Sequence, residues 1–205
     1  SIIWCSYNGP VTISNCKFIR ITGRGIEGFV ITANGINQVN LTLEKCEFID
    51  CGKEINNLPL ITLLGDRSMA NFIECNFTFT DPSRSFRVLD IYNNDVMFDR
   101  CRFIQCGENA IHLTKYSYGN YPLGTFQFTN NYVASNTGNF INGTQMSNKP
   151  IIENNVFENI TMMNSYLIYI LHNVEQIELI NNTFSKITTS KTSELYGGGI
   201  ATLIG

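Results

Sequence analysis

Charged side chains that could do chemistry crowd most densely between residues 90 and 112, where Asp90, Asp95, Asp99, Arg100 and His112 share one stretch. Carboxylates converging from neighbouring strands can hold calcium or divide the acid and base roles at a glycosidic bond. A polysaccharide lyase or hydrolase would need several of these groups along one groove. No two aspartates are adjacent anywhere in the chain, however, and a solvated turn with local hydrogen bonds would use the same residues. His112 and the only other histidine, His172, both lie in apolar strand-like runs, where a histidine is more often structural than catalytic.

Cysteine is the second chemical resource. Seven are present, an odd number, so at least one has no partner within the chain. Cys16, Cys46, Cys75 and Cys101 each stand two residues before a phenylalanine (Phe18, Phe48, Phe77, Phe103), which puts the thiols on the apolar side of their strands as small hydrophobes. Cys51 and Cys106 follow five residues after a member of that series and leave a bridge between neighbouring windings open. Parallel stacking aims neighbouring Cβ atoms the same way, which suits disulfide geometry poorly. No Cys-x-x-Cys pair and no Cys/His cluster occurs, so neither a metal centre nor a cofactor is expected.

Five Asn-x-Ser/Thr acceptors for N-glycosylation occur, at Asn40, Asn76, Asn142, Asn159 and Asn181. With 26 Asn and 31 Ser plus Thr, chance alone would supply about four, so the count is no sign of export. Alternation turns Asn40 and Asn76 outward and places Asn142 in a turn, while Asn159 and Asn181 fall nearer the core. Tyr116, Tyr118 and Tyr121 crowd a Gly/Pro-containing segment and offer flat area for a glycan or protein ligand.

The elements that must position these residues follow from a repeat. The Cys-x-Phe slot at Cys16, Cys46, Cys75 and Cys101 continues as Asn131, Asn155 and Asn182, giving seven copies 24 to 30 residues apart. Apolar residues stand three and five positions before most slots, as with Leu43 and Leu41 or Phe128 and Phe126, which is the alternation of a strand. A variable Gly/Ser/Asn/Thr segment and a second apolar run follow each slot. Such a unit cannot close a core by itself and must stack on its neighbours. The spacing predicts an all-β right-handed parallel β-helix of about seven coils, with residues 1–205 forming a single domain, cut from a longer solenoid. An antiparallel sandwich would also use short strands, but it does not need a slot at fixed register. Inward Asn131, Asn155 and Asn182 are expected to take left-handed backbone geometry and form an amide ladder, with the four cysteines replacing asparagine in the earlier coils.

Composition removes other classes. A net charge of −3, from 14 basic and 17 acidic residues without long runs, offers no footprint for nucleic acid. No apolar stretch approaches the roughly twenty residues a membrane helix needs, so no direct membrane insertion is expected.

The run Asn181-Asn182-Thr183-Phe184-Ser185-Lys186-Ile187, followed by Tyr196-Gly197-Gly198-Gly199-Ile200-Ala201, resembles the repeats of polymorphic outer-membrane protein adhesins and of similar protist surface proteins. Gly28-Phe29 and Gly138-Asn139-Phe140 are partial versions of the glycine element. That resemblance implies the pectin-lyase-like right-handed β-helix and an adhesive or structural rod, extracellular or at the cell surface, and brings no catalytic residues. Its partners would be a protein or glycan ligand, further coils of the same protein, or another copy end to end. A polysaccharide-active enzyme and an intracellular scaffold on the same fold are the alternatives.

Overall fold

The computed structural model describes residues 2–5, 9–21, 30–34, 39–52, 59–64, 68–80, 87–92, 95–114, 124–144, 150–163, 165–171, 177–190 and 199–204. Strands form where the apolar alternation is strict. Val39–Glu44 buries Val39, Leu41 and Leu43 and turns Asn40 to solvent, and Asp95–Asp99 buries Val96 and Phe98 in the same way. Such a strand is too short to stand alone, and each pairs in parallel with its counterparts one winding away, so that Val96 lies against Ala70 on one side and Phe126 on the other.

Among the described residues the result is three parallel sheets of eight, seven and seven strands, visited in turn by every winding. The first runs from Ile3–Cys5 to Gly199–Ile204, the second from Gly9–Ser14 to Glu178–Ile180, and the third from Lys17–Ile19 to Thr183–Ser190. This is a parallel β-solenoid, and the antiparallel alternative is excluded because every strand pairing in these sheets is parallel. No helix occurs among the described residues.

Chain direction changes at left-handed corners. The residue just before each slot, in order Asn15, Lys45, Glu74, Arg100, Asn130, Asn154 and Asn181, has φ between 52° and 58°. Five residues further on, a second corner repeats at Arg20, Asp50, Gln105, Ser135, Asn159 and Lys186, with φ between 50° and 56°. The expected left-handed geometry therefore belongs to the outward neighbour of the slot, and the inward residue itself lacks it. At such a corner the left-handed residue sends its own side chain to solvent, which leaves the next residue to point inward. Asparagine suits this position, but Lys45, Glu74 and Arg100 occupy it at a cost of roughly 1 to 2 kcal/mol each.

Phenylalanines fill the interior as stacked columns. Phe18, Phe48, Phe77 and Phe103 lie face to face with centroids 4.8, 4.9 and 5.0 Å apart. Val133 interrupts the column, and Phe140 compensates by setting its edge against Phe103 at 5.1 Å, while Phe157 and Phe184 resume stacking at 5.0 Å. These separations match the inter-strand spacing of about 4.8 Å, so the backbone ladder sets the ring register.

Candidate functional site

The seven slot residues lie where the chain passes from the second sheet to the third, and all but Cys16 and Asn182 are buried. One acceptor serves every occupant from the second winding on: the carbonyl three residues before the slot in the preceding winding. Cys46, Cys75 and Cys101 direct their thiols at Ile13, Leu43 and Phe72 O, at 3.4, 3.4 and 3.3 Å. Asn131, Asn155 and Asn182 donate from Nδ2 to Phe98, Phe128 and Ile152 O, at 3.1, 2.7 and 2.7 Å. The amide does more than the thiol, because its Oδ1 also accepts from the backbone N–H of the slot below, as Asn131 does for Cys101 (2.8 Å) and Asn155 for Asn131 (2.8 Å). Nδ2 of Asn131 and Asn155 further donates to the next Oδ1 at 3.1 and 2.9 Å, closing a continuous amide chain. All seven cysteines are free thiols, Cys51 and Cys106 included, and their Sγ atoms face Phe18 and Phe77 O at 3.0 and 3.7 Å. Burial pushes the Cys46 thiol up to about 11 and raises Cys51, Cys101 and Cys106 as well, which makes them poor nucleophiles.

The charged cluster divides between two faces. Asp95 spends Oδ1 on the backbone N–H and hydroxyl of Thr125 in the next winding, at 2.6 and 2.9 Å. Asp99 accepts from Asn130 Nδ2 at 2.8 Å and pairs with Arg100 at 3.0 Å, and Arg100 also reaches Glu74 at 3.3 Å. These three residues serve the second sheet and its corner. Asp90 and His112 instead sit side by side on the first sheet, with His112 Nδ1 donating to Asp90 Oδ1 at 2.6 Å. Arg87 Nη1 approaches the other carboxylate oxygen at 3.5 Å. The five therefore split into the pair Asp90–His112 on the first sheet and a group tied into contacts between windings on the second, and do not line the one groove that a carbohydrate-cleaving site was expected to assemble.

The acceptors for glycosylation differ in access. Asn40 faces solvent in the middle of its strand, and Asn76 is half-buried with Oδ1 accepting from Thr78 Oγ1 at 2.9 Å. Asn142 lies inside the strand Ile141–Thr144 and not in a turn, because its segment pairs in register with His112 and Tyr169. Its Nδ2 is held by Asn109 Oδ1 at 2.7 Å. Asn159 and Asn181 are exposed left-handed corners, further from the interior than their neighbourhood in the sequence implied. Tyr116, Tyr118, Tyr121 and His172 lie outside the described residues, as does the Gly197-Gly198 pair.

Two features escaped the sequence reading. Asn109 and Asn139 start a second amide cluster at the entrance to the first sheet, where Asn139 Oδ1 accepts from Tyr166 N at 2.8 Å and Asn139 Nδ2 reaches Asn109 Oδ1 at 3.4 Å. Only their spacing of 30 residues, equal to one repeat, marks them in the sequence. An aspartate at one corner also caps a threonine one winding later, as Asp50 does for Thr80 N and Oγ1 at 2.7 and 2.9 Å. No group of three or more His, Cys, Asp or Glu side chains fit to hold a metal ion occurs among the described residues.

A family model described as a right handed beta helix region matches residues 1–184. No curated protein matches the chain.

Proposed function

The chain belongs to the right-handed β-helix family, and from that premise we propose that it is a non-enzymatic rod with an adhesive or structural role outside the cell or at its surface. One observation carries this reading: Asp95, Asp99 and Arg100 are each consumed in tying one winding to another, which leaves Asp90 as the one aspartate of that stretch, among the described residues, set beside a histidine for acid and base work. Groups that serve the stack in this way stabilise length and regularity, which is what a rod requires. Its partner would be a protein or glycan, or further windings stacked end to end.

Two observations favour other readings. The Asp90–His112 pair is what a polysaccharide-active enzyme would use as an oriented base. The seven unbridged cysteines suit a reducing compartment and hence an intracellular scaffold. The experiment is to incubate the chain with neutral and uronate polysaccharides and to map glycans on native material by mass spectrometry. No new reducing ends, with sugar on Asn40, is the outcome expected of an extracellular rod. Cleavage products would overturn the non-enzymatic reading, and an unmodified Asn40 on protein recovered from cytosol would overturn the extracellular one.

A further inference from the structure

Cysteine stands where asparagine does in the slots of the first four windings, so that thiols form a column, and one end of that column differs from the rest. Cys46, Cys75 and Cys101 are buried, but Cys16 is half-buried and open to solvent. Cys16 lies directly against Cys46, because the strands on either side of the slot pair in register, Ser14 with Glu44 and Lys17 with Glu47, and Glu47 N donates to Cys16 O at 2.9 Å. The two residues are therefore one strand spacing apart, about 4.8 Å, on backbone held from both sides. Neither thiol is bridged.

That separation decides what could join them. A disulfide needs Cβ atoms within about 3.5 to 4.5 Å and sulfurs about 2 Å apart, and side chains aimed the same way across a parallel ladder cannot close in without moving the backbone. A metal ion held in line between two sulfurs needs about 4.6 Å, twice a metal–sulfur bond of about 2.3 Å. The stack fits the second requirement. Among the described residues no group of three or more His, Cys, Asp or Glu side chains could hold a metal, which leaves zinc short of its four ligands here. Two sulfurs alone suit a soft closed-shell cation, and monovalent copper is the one that thiolates select.

We propose that Cys16 and Cys46 form a two-coordinate site for one soft monovalent cation, Cu(I), which enters from solvent at the Cys16 sulfur. In the metal-free chain both sulfurs donate to carbonyls and so carry protons, Cys16 Sγ to Ser14 O at 3.3 Å and Cys46 Sγ to Ile13 O at 3.4 Å and Glu44 O at 3.5 Å. Binding breaks two S–H bonds and forms two S–Cu bonds. Both protons go to solvent, no electron is transferred, and the product carries one negative charge. The Cys16 backbone N–H points at Cys46 Sγ, where an asparagine would place its Oδ1, and offsets part of that charge once the sulfur is a thiolate. Burial, which holds the Cys46 proton up to about 11, opposes the ion, so affinity should rise with pH by up to about a hundredfold per unit, two protons leaving for each ion bound.

The test adds Cu(I), supplied anaerobically as its acetonitrile complex, to the reduced 205-residue chain, with Ag(I) as a cation free of redox chemistry and Zn(II) as the control. Native mass spectrometry should show one Cu(I) or Ag(I) per folded chain and no zinc, and X-ray absorption at the copper edge should show two sulfur neighbours. Cys16→Ser should weaken binding at least tenfold in competition with a chromophoric chelator, while Cys106→Ala, outside the column, should bind as the parent does. Bound Ag(I) should raise the melting temperature of the parent and leave that of Cys16→Ser in place. No bound ion, three or more sulfur neighbours, or equal affinity in the parent and Cys16→Ser overturns the site. An ion taken up only by the unfolded chain, seen as a lowered melting temperature, overturns it as well. A Cys16–Cys46 disulfide formed with oxidised glutathione would do the same, because the sulfurs would then approach more closely than the stack allows.

Discussion

At the slot, asparagine and cysteine answer the same carbonyl differently. A thiol donates one weak hydrogen bond downward, whereas an amide donates downward and also accepts from the winding below, so Asn131, Asn155 and Asn182 link windings that Cys46, Cys75 and Cys101 only fill. Asn155→Ala should strand Phe128 O and Asn131 N–H together and cost about 1 to 3 kcal/mol. Urea unfolding checks this, and an unchanged midpoint would mean that water takes over the lost contacts. Gly138 makes a second single-residue case. Its φ is +76°, and an added Cβ would fall 2.8 Å from Glu108 Cγ. Gly138→Ala should therefore destabilise by roughly 1 to 2 kcal/mol from the backbone term, even though the exposed Glu108 side chain can move aside. A Gly138→Asn variant should recover part of the loss, and equal melting temperatures for all three proteins would count against strain at this corner. Identity of the slot was readable from the recurrence of Cys-x-Phe, continued as Asn-x-Val at Asn131 and Asn-x-Phe at Asn155 and Asn182. The left-handed corner beside it was not, because Lys45, Glu74 and Arg100 carry no signature of that backbone.

At the level of strands and columns, ring stacking and backbone pairing reinforce each other. Phe103 touches Phe77 in its own column, Phe98 and Phe128 from the second sheet, and Phe140 where Val133 breaks the series. Phe103→Ala should open a void that rigid windings above and below cannot collapse, at a cost of about 3 to 5 kcal/mol. Calorimetric melting measures it, and a loss under one kcal/mol would place the ring elsewhere. Inward placement of Phe103 could be argued from alternation alone, since strand period dictates which side a residue takes. That Phe140, from the first sheet, would edge into the gap left by Val133 could not. Filling that gap depends on the distance between sheets, which no local pattern encodes.

For the whole molecule, burial of thiols along the stack makes stability depend on pH at the alkaline end. The folded state holds the Cys46 proton up to about 11, against an ordinary thiol value of 9.0, and Cys51, Cys101 and Cys106 are raised by the same burial. At these four thiols the unfolded chain, above the ordinary value, binds fewer protons than the folded one, so their contribution to stability falls as pH rises, while Cys75, lowered by its hydrogen bond with Cys101, works in the opposite direction. Chemical unfolding should show a constant midpoint from pH 7 to near 9, then a decline through about 11 that is shallower in Cys46→Ala. A flat profile to pH 11 would mean that the thiols are not desolvated. The six buried thiols should likewise resist a water-soluble disulfide reagent until the protein unfolds, while half-buried Cys16 reacts in the native state.

The repeat by itself determined the class of fold, the register of the windings and the inward set of side chains, because a period of two within strands and one slot per winding leaves a single way to bury the apolar residues. What only the tertiary structure decided was which outward groups meet. Asp90 and His112 are 22 positions apart, and no spacing rule says that they touch while Asp95 and Asp99 turn to another face. Windings differ in length from 24 to 30 residues, so the segments between slots absorb the differences, and lateral neighbours on the first sheet are settled by how each segment rejoins the stack. Contacts along the rod axis follow from backbone pairing, which is local and periodic, whereas contacts around its circumference depend on corner geometry summed over a whole turn.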